Sequence, residues 1–400
     1  MRSLSDQIVA VGLSLIVVLI LAYLLYRPRV QQSRQYRATV VPLANIMDVG
    51  FIIFAPSIVL LVGLFAPLAM LGVSLVAIAT GFVIAYNIRN HEPLEGTDDV
   101  SNVVERAAEW ALLAASIVNI AYYTLILMAL LLLPIEAFTT GRQTLGGVLF
   151  LAAILTVGLS GGMAWLNRQG DRTTAFNIAA VIGVLVAFVI YNVQEALGGR
   201  WGLGESPTID VDALRKVIGL FAIVQGFEAA RYIGVRFSAE RRISGMRVAQ
   251  GLSTVVFVAL VASILVLFLP PEEEVSGTAI FVVSEKIGQS MPYMLLLAAI
   301  GSQTSAVINA TSSRSDMLVN KKVPRKLSFA AILVPAILVV IFTDVSAAVN
   351  IASRVFALYF LIQASLAVLL ARRRGTWGAM AGFAVVGAAM ATILIFGLPL

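Results

Sequence analysis

Two short stretches decide how this chain is read: Asn45-Ile46-Met47-Asp48-Val49-Gly50-Phe51, with Pro56 close behind, and Gln225-Gly226-Phe227-Glu228-Ala229-Ala230-Arg231-Tyr232-Ile233-Gly234. Each sets a carboxylate and helix-interrupting residues inside an apolar run long enough to cross a bilayer. A charge at that depth costs about 3 kcal/mol on insertion scales, so it marks a site or a partner. Arg231 and Arg354 also stand out as ionisable groups inside spans.

The runs around these stretches set the class. Of 400 residues, 60% are apolar and 12% charged, and the mean hydropathy is +0.94, values outside the range of soluble domains. The surplus falls into twelve blocks: Gln7–Leu25, Ala44–Phe65, Pro67–Tyr86, Ala107–Leu133, Leu145–Trp165, Ala175–Val193, Leu214–Ile233, Val248–Leu269, Pro292–Ala310, Leu327–Phe342, Ser346–Leu370 and Gly375–Phe396. Each is near the roughly 20 residues a helix needs to cross about 30 Å of hydrocarbon. The blocks lack the alternation of barrel strands, so helices are expected throughout. The first block follows Arg2 as a signal peptide would, but it is long, has no Ala-x-Ala exit and ends in Arg27, Arg29, Arg34 and Arg37. It reads as a true span.

Loops after the odd-numbered spans hold 20 Lys and Arg residues, against 6 on the opposite side. Basic loops stay cytoplasmic, which predicts a multi-pass protein of the cell inner membrane with both termini extracytoplasmic. The net charge of +6 follows from this topology and requires no nucleic acid. Cysteine is absent, which excludes disulfides and thiolate chemistry. The single histidine, His91, falls in the acidic loop 90–109 and reads as solvated. The basic loop 236–247 reads as a topology anchor, with anionic lipid as a secondary partner.

Interrupted spans 2 and 7 stand five spans apart, so spans 2–6 and 7–11 form two five-helix sets. An odd number per set makes the repeat inverted, and paired broken helices in corresponding positions point to a binding site at the midplane. The expected organisation is an extra N-terminal helix with a basic linker (1–37), a first repeat (38–195), a second repeat (196–371) and a final helix (372–400). Free N–H and C=O groups at the breaks can hold anions and cations respectively.

Here the sequence resembles the amino acid–polyamine–organocation superfamily and its relatives with the LeuT-like five-plus-five inverted repeat. Gly226-Phe227-Glu228 is similar to the Gly-Phe-Glu of the unwound sixth core helix of amino-acid permeases. Gly301-Ser302-Gln303-Thr304-Ser305, on the eighth core helix, resembles the hydroxyl pair of sodium-coupled members. The resemblance implies a Na+ site of the Thr304 and Ser305 side chains with the carbonyls of Gly301, Ile46 and Val49, an all-oxygen set suited to a hard cation. Proton-coupled relatives often place a lysine on the fifth core helix, and span 6 has none. The resemblance also implies a substrate site from Asp48, Gly50, Asn119, Tyr122, Gln225, Gly226 and Phe227, with coupling or gating by Asp48, Glu228, Arg231 and Arg354. Tyr123, Tyr232, Asn350 and Ser353 lie in the same regions.

The alternatives are structural and enzymatic. Gly and Pro also kink membrane helices for packing, and Ser or Thr back-bond within them. Gly158-Leu159-Ser160-Gly161 matches a rhomboid protease's nucleophile, yet the only imidazole lies in a loop on another segment, so an intramembrane serine protease is disfavoured. Symmetric pore loops and charged rings of a channel are lacking. A transporter-like receptor or signalling-complex subunit is the other alternative. The expectation is therefore a symporter, not an enzyme, moving a small polar organic solute such as an amino acid or amine. It needs no cofactor beyond Na+ as a coupling ion.

Overall fold

A computed structural model describes residues 4–47, 49–97, 99–132, 137–203, 209–234, 237–267 and 279–399. Every regular element among them is helical: α1 (Leu4–Tyr26), α2 (Pro28–Gln32), α3 (Arg34–Ile46), α4 (Val49–Val62), α5 (Ala66–Asn90), α6 (Ser101–Leu132), α7 (Thr140–Leu159), α8 (Met163–Leu197), α9 (Val211–Gly219), α10 (Ala239–Ile264), α11 (Ala279–Ile287), α12 (Met291–Asn320), α13 (Arg325–Phe342), α14 (Val345–Arg373) and α15 (Trp377–Phe396). Among the described residues ten stretches are long and apolar enough to cross a bilayer; one of them, Gly50–Leu94, runs from α4 into α5, and α5 is its full-length crossing. Two further crossings are assembled from pieces: α3 with α4, and α9 with the 3-10 segments Phe221–Val224 and Phe227–Ile233. These are the spans that carry the two opening stretches, and twelve crossings result.

Polar caps set where the helices begin. Asp210 Oδ1 accepts the Ala213 N–H at 2.7 Å and Asp344 Oδ1 that of Ala347 at 2.7 Å. Asp99 accepts from Ser101 N–H in the same way, so α6 starts at Ser101, a turn and a half before the hydropathy rises. Side-chain capping satisfies N–H groups that the first turn leaves open. That early start places Glu105 and Glu109 on a helix instead of in a solvated connector. Similarly α10 begins at Ala239, so most of the basic loop is helix.

Around the broken spans, α14 packs on α6 and α15, α10 on α3 and α5, and α12 between α6 and α8. An aromatic seam joins span 7 to α14, with Phe227 stacked on Phe360 at 5.2 Å and Phe221 edge-on to it at 5.9 Å. Helix α1 lies along α8, where Ser14 Oγ donates to the Gly183 carbonyl at 2.9 Å. At the end of the bundle opposite the basic loops, residues 396–398 cross α9. Arg215 Nε donates to the Phe396 carbonyl at 3.1 Å, Leu398 N–H donates to the Arg215 carbonyl at 3.0 Å, and Gly219 lies against Leu398 too closely to admit a β-carbon.

Candidate functional site

The first break follows Ile46. Met47 leaves the helical region at φ −89°, ψ 56°, and α4 restarts at Val49; Asp48 lies outside the described residues. The second break is longer. Helix α9 tightens into 3-10 form, Gln225 is extended at φ −83°, ψ 177°, and Gly226 takes φ +116°. A β-carbon on Gly226 would lie 2.8 Å from the Asn45 carbonyl oxygen and 2.7 Å from its carbon. Glycine is required there twice over, by its backbone angle and by the approach of the other broken span. The interruptions expected near 48–50 and 226–228 therefore meet.

Glu228 is buried behind this junction, and its Oε2 accepts the Gly226 N–H at 2.8 Å. It thereby caps the restarted helix of span 7, a use that sequence alone left open between coupling and structure. On the other side of the break, the Ala222 N–H donates to Ser353 Oγ at 2.9 Å, anchoring the first half of span 7 to α14. Gly50, Gln225 and Phe227 are all buried beside the junction. On α6, Tyr122 tilts against Phe54 of α4 at 6.1 Å, and Asn119 is buried with its Oδ1 lacking a partner among the described residues.

The expected cation ligands divide among three helices: Ile46 ends α3, Val49 opens α4, and Gly301, Thr304 and Ser305 lie on α12, which packs against α4. Ser305 Oγ accepts from Asn309 Nδ2 at 3.3 Å. The side chain that reaches the first break from α8 is Asn177, whose Nδ2 donates to the Met47 carbonyl at 3.2 Å. That side chain is a neutral amide. The donor set of hydroxyls and carbonyls beside a neutral amide fits a hard monovalent cation.

At the basic end the structure corrects the sequence reading. His91 is fully buried, because α5 ends beneath span 7 and brings the imidazole to its guanidinium: Arg231 Nη2 donates to His91 Nδ1 at 3.1 Å. Arg231 also pairs with Glu105 of α6 at 2.9 Å and donates to Gln363 Oε1 of α14 at 3.2 Å. Gln363 Nε2 in turn donates to Glu105 at 2.9 Å, and Asn87 Nδ2 donates to Gln363 Oε1 at 2.7 Å. Arg242, expected as a topology anchor, is buried instead; it forks onto Glu92 at 2.6 and 2.7 Å and donates to the Arg231 carbonyl at 2.9 Å. His91, Glu92, Glu105, Arg231 and Arg242 line a polar cleft of about 1070 Å³. Asp99 at its edge is held down to a pKa of about 2 by hydrogen bonds from Ser101 and by Arg373.

Arg354 is not brought to this network or to Glu228. Its Nη2 donates to the Gly397 carbonyl at 2.7 Å, at the other end of α14. Ser160 Oγ donates to the Val157 carbonyl on an exposed helix end. Sequence reasoning missed Glu105, Gln363 and Arg314, whose Nε donates to Ser116 Oγ at 2.8 Å. Gln363 left a usable signal, as an amide inside the apolar run 355–371.

Two interrupted spans packed break to break within twelve crossings define a membrane transporter of the LeuT-like fold. The chain belongs to the APC superfamily of transporters, whose family description, "APC superfamily transporter", matches residues 28–397. An uncharacterized protein of Aquifex aeolicus (strain VF5) is 25% identical over 363 residues, covering 87% of this chain and 88% of its own. A solved structure of a Na+-coupled sialic acid symporter in a substrate-bound outward-open state is similar in fold, with a TM-score of 0.50 and 16% identity. That match covers 99% of this chain and 98% of the other.

Proposed function

We propose that this transporter is a secondary active symporter moving a small polar organic solute, of the amino acid or amine class, by alternating access in a cell inner membrane. The observation that carries this reading is the seating of Gly226 on the Asn45 backbone, which brings the breaks of two interrupted helices together. The N-terminal end of a helix at such a break suits a carboxylate and the C-terminal end an ammonium. Asn119, Tyr122, Gln225 and Phe227 supply the remaining walls, and the unpartnered Asn119 Oδ1 is an acceptor available to a solute donor.

Sodium is the favoured coupling ion over a proton, and a bound Na+ would supply the drive of its gradient. Thr304 and Ser305 with the carbonyls of Ile46, Val49 and Gly301 would hold it, joining the first broken span to α12. Glu228, used as a helix cap, serves the geometry of the break, while Arg231 and its partners gate the basic end.

Proteoliposomes carrying the purified chain should accumulate a solute of this class under an inward Na+ gradient; no uptake with either Na+ or H+ gradients across an amino acid and amine panel refutes the reading. Na+ should raise the Tm of the wild type, since an ion bound only by the folded state stabilises it. Thr304→Ala with Ser305→Ala should remove that rise, and a preserved rise rejects this ligand set.

A further inference from the structure

Among the described residues, the cleft at the basic end contains five carboxylates on or beside the loop between α5 and α6. Four have a strong cation: Glu92 has Arg242, Asp99 has Arg373, Glu105 has Arg231, and Glu109 has Lys321. The fifth, Glu95, has His91, with Oε1 3.8 Å from Nδ1. The same Nδ1 accepts from Arg231 at 3.1 Å. A guanidinium only donates, so that contact requires a bare Nδ1 and therefore a neutral ring protonated at Nε2. Glu95 stands just beyond hydrogen-bond reach, and because a carboxylate only accepts, it can bond Nδ1 only once that nitrogen carries a proton. The two neighbours therefore suit different protonation states of the ring.

We propose that His91 is a proton-operated positioning residue of the transport cycle: neutral, it holds Arg231 and the lower half of span 7 in place; protonated, it turns to Glu95 and lets Arg231 go. The proposal rests on the reading that Arg231 and its partners gate the basic end. Arg231 already has its counter-charge in Glu105, so a second cation beside it is unbalanced in a buried setting, where charges act strongly. The groups facing the ring are Glu92, Glu95 and Asp99 from the loop, Asn102 and Glu105 from α6, Arg231 from span 7 and, behind Glu92, Arg242 from α10. With the other four described carboxylates engaged, Glu95 is where an imidazolium finds its complement. Movement of Arg231 is felt directly by the backbone, because the Arg231 carbonyl is tied to Arg242 at 2.9 Å and the Ala230 carbonyl at 3.4 Å.

The test uses the purified full chain in lipid nanodiscs, without solute or gradient. Hydrogen–deuterium exchange of peptides spanning 227–234 is followed from pH 8 to pH 5 and corrected for intrinsic exchange. The wild type should lose protection as pH falls, by up to tenfold per pH unit, the limit for one linked proton. His91→Asn, whose side-chain oxygen accepts from Arg231 but does not titrate, should stay protected at every pH, and Glu95→Gln should push the wild-type step to lower pH. The chain holds one histidine, so its imidazole resonance can be titrated in the wild type, and its midpoint should match that of the exchange step. A flat wild-type profile, a step retained in His91→Asn, or mismatched midpoints would overturn the proposal. Uptake without the exchange step rejects the latch alone; the step without uptake rejects the transporter reading alone.

Discussion

Gly226 is the position where one added carbon should do most harm. A side chain at φ +116° is strained by about 1–2 kcal/mol, and the β-carbon would also push Asn45 away from the break. Gly226→Ala should therefore lower the Tm and abolish uptake, while Gly251→Ala, where nothing lies within 4 Å, should do neither. Asp99 makes a different prediction. Its pKa is depressed to about 2, so its contribution to stability is complete above its ordinary value of 3.8 and is lost as pH falls from about 4 toward 2. Denaturation followed between pH 5 and 2 should show that loss, and Arg373→Ala should reduce it. At this scale the sequence exposed which residues were out of place in a membrane, Glu228 and Arg231 among them. It did not expose their partners, because Glu105 and Gln363 stand 126 and 132 residues from Arg231 in the chain and no local pattern joins them.

Helix ends tell a similar story one level up. The two broken spans were legible because Gly and polar residues cannot hide inside an apolar run, and the structure interrupts both within two residues of the expected places. The start of α6 was not legible, because capping by Asp99 extends a helix into sequence whose composition reads as loop. One misplaced start then hid a buried ion pair and left His91 assigned to solvent. The attachment of span 7 to α14 can be probed at Ser353. Ser353→Ala leaves the buried Ala222 N–H without its acceptor, a loss of about 1–3 kcal/mol. The Tm should fall, and uptake should fall by more than the folded fraction accounts for if that anchor positions the first half of span 7; a Tm loss with proportionate uptake would make it structural only.

The whole molecule places its two junctions at different depths: backbone against backbone where the spans break, and charge against charge at the basic end. Membrane class and twelve crossings could be read from hydropathy alone, and the inverted pairing from the spacing of spans 2 and 7. The cleft could not, since it is built from five segments that meet only in the folded state. The contact of Gly226 with Asn45 also bears on how such a chain is made. Until span 7 arrives, the first break lacks the neighbour that closes over Asn45, and irregular backbone at membrane depth is tolerated only where protein covers it. The first half of the protein is thus an unfinished object in the bilayer. Its quality control is a wait for the second half, so a lesion at Gly226 should reach the cell as degraded protein as much as lost transport.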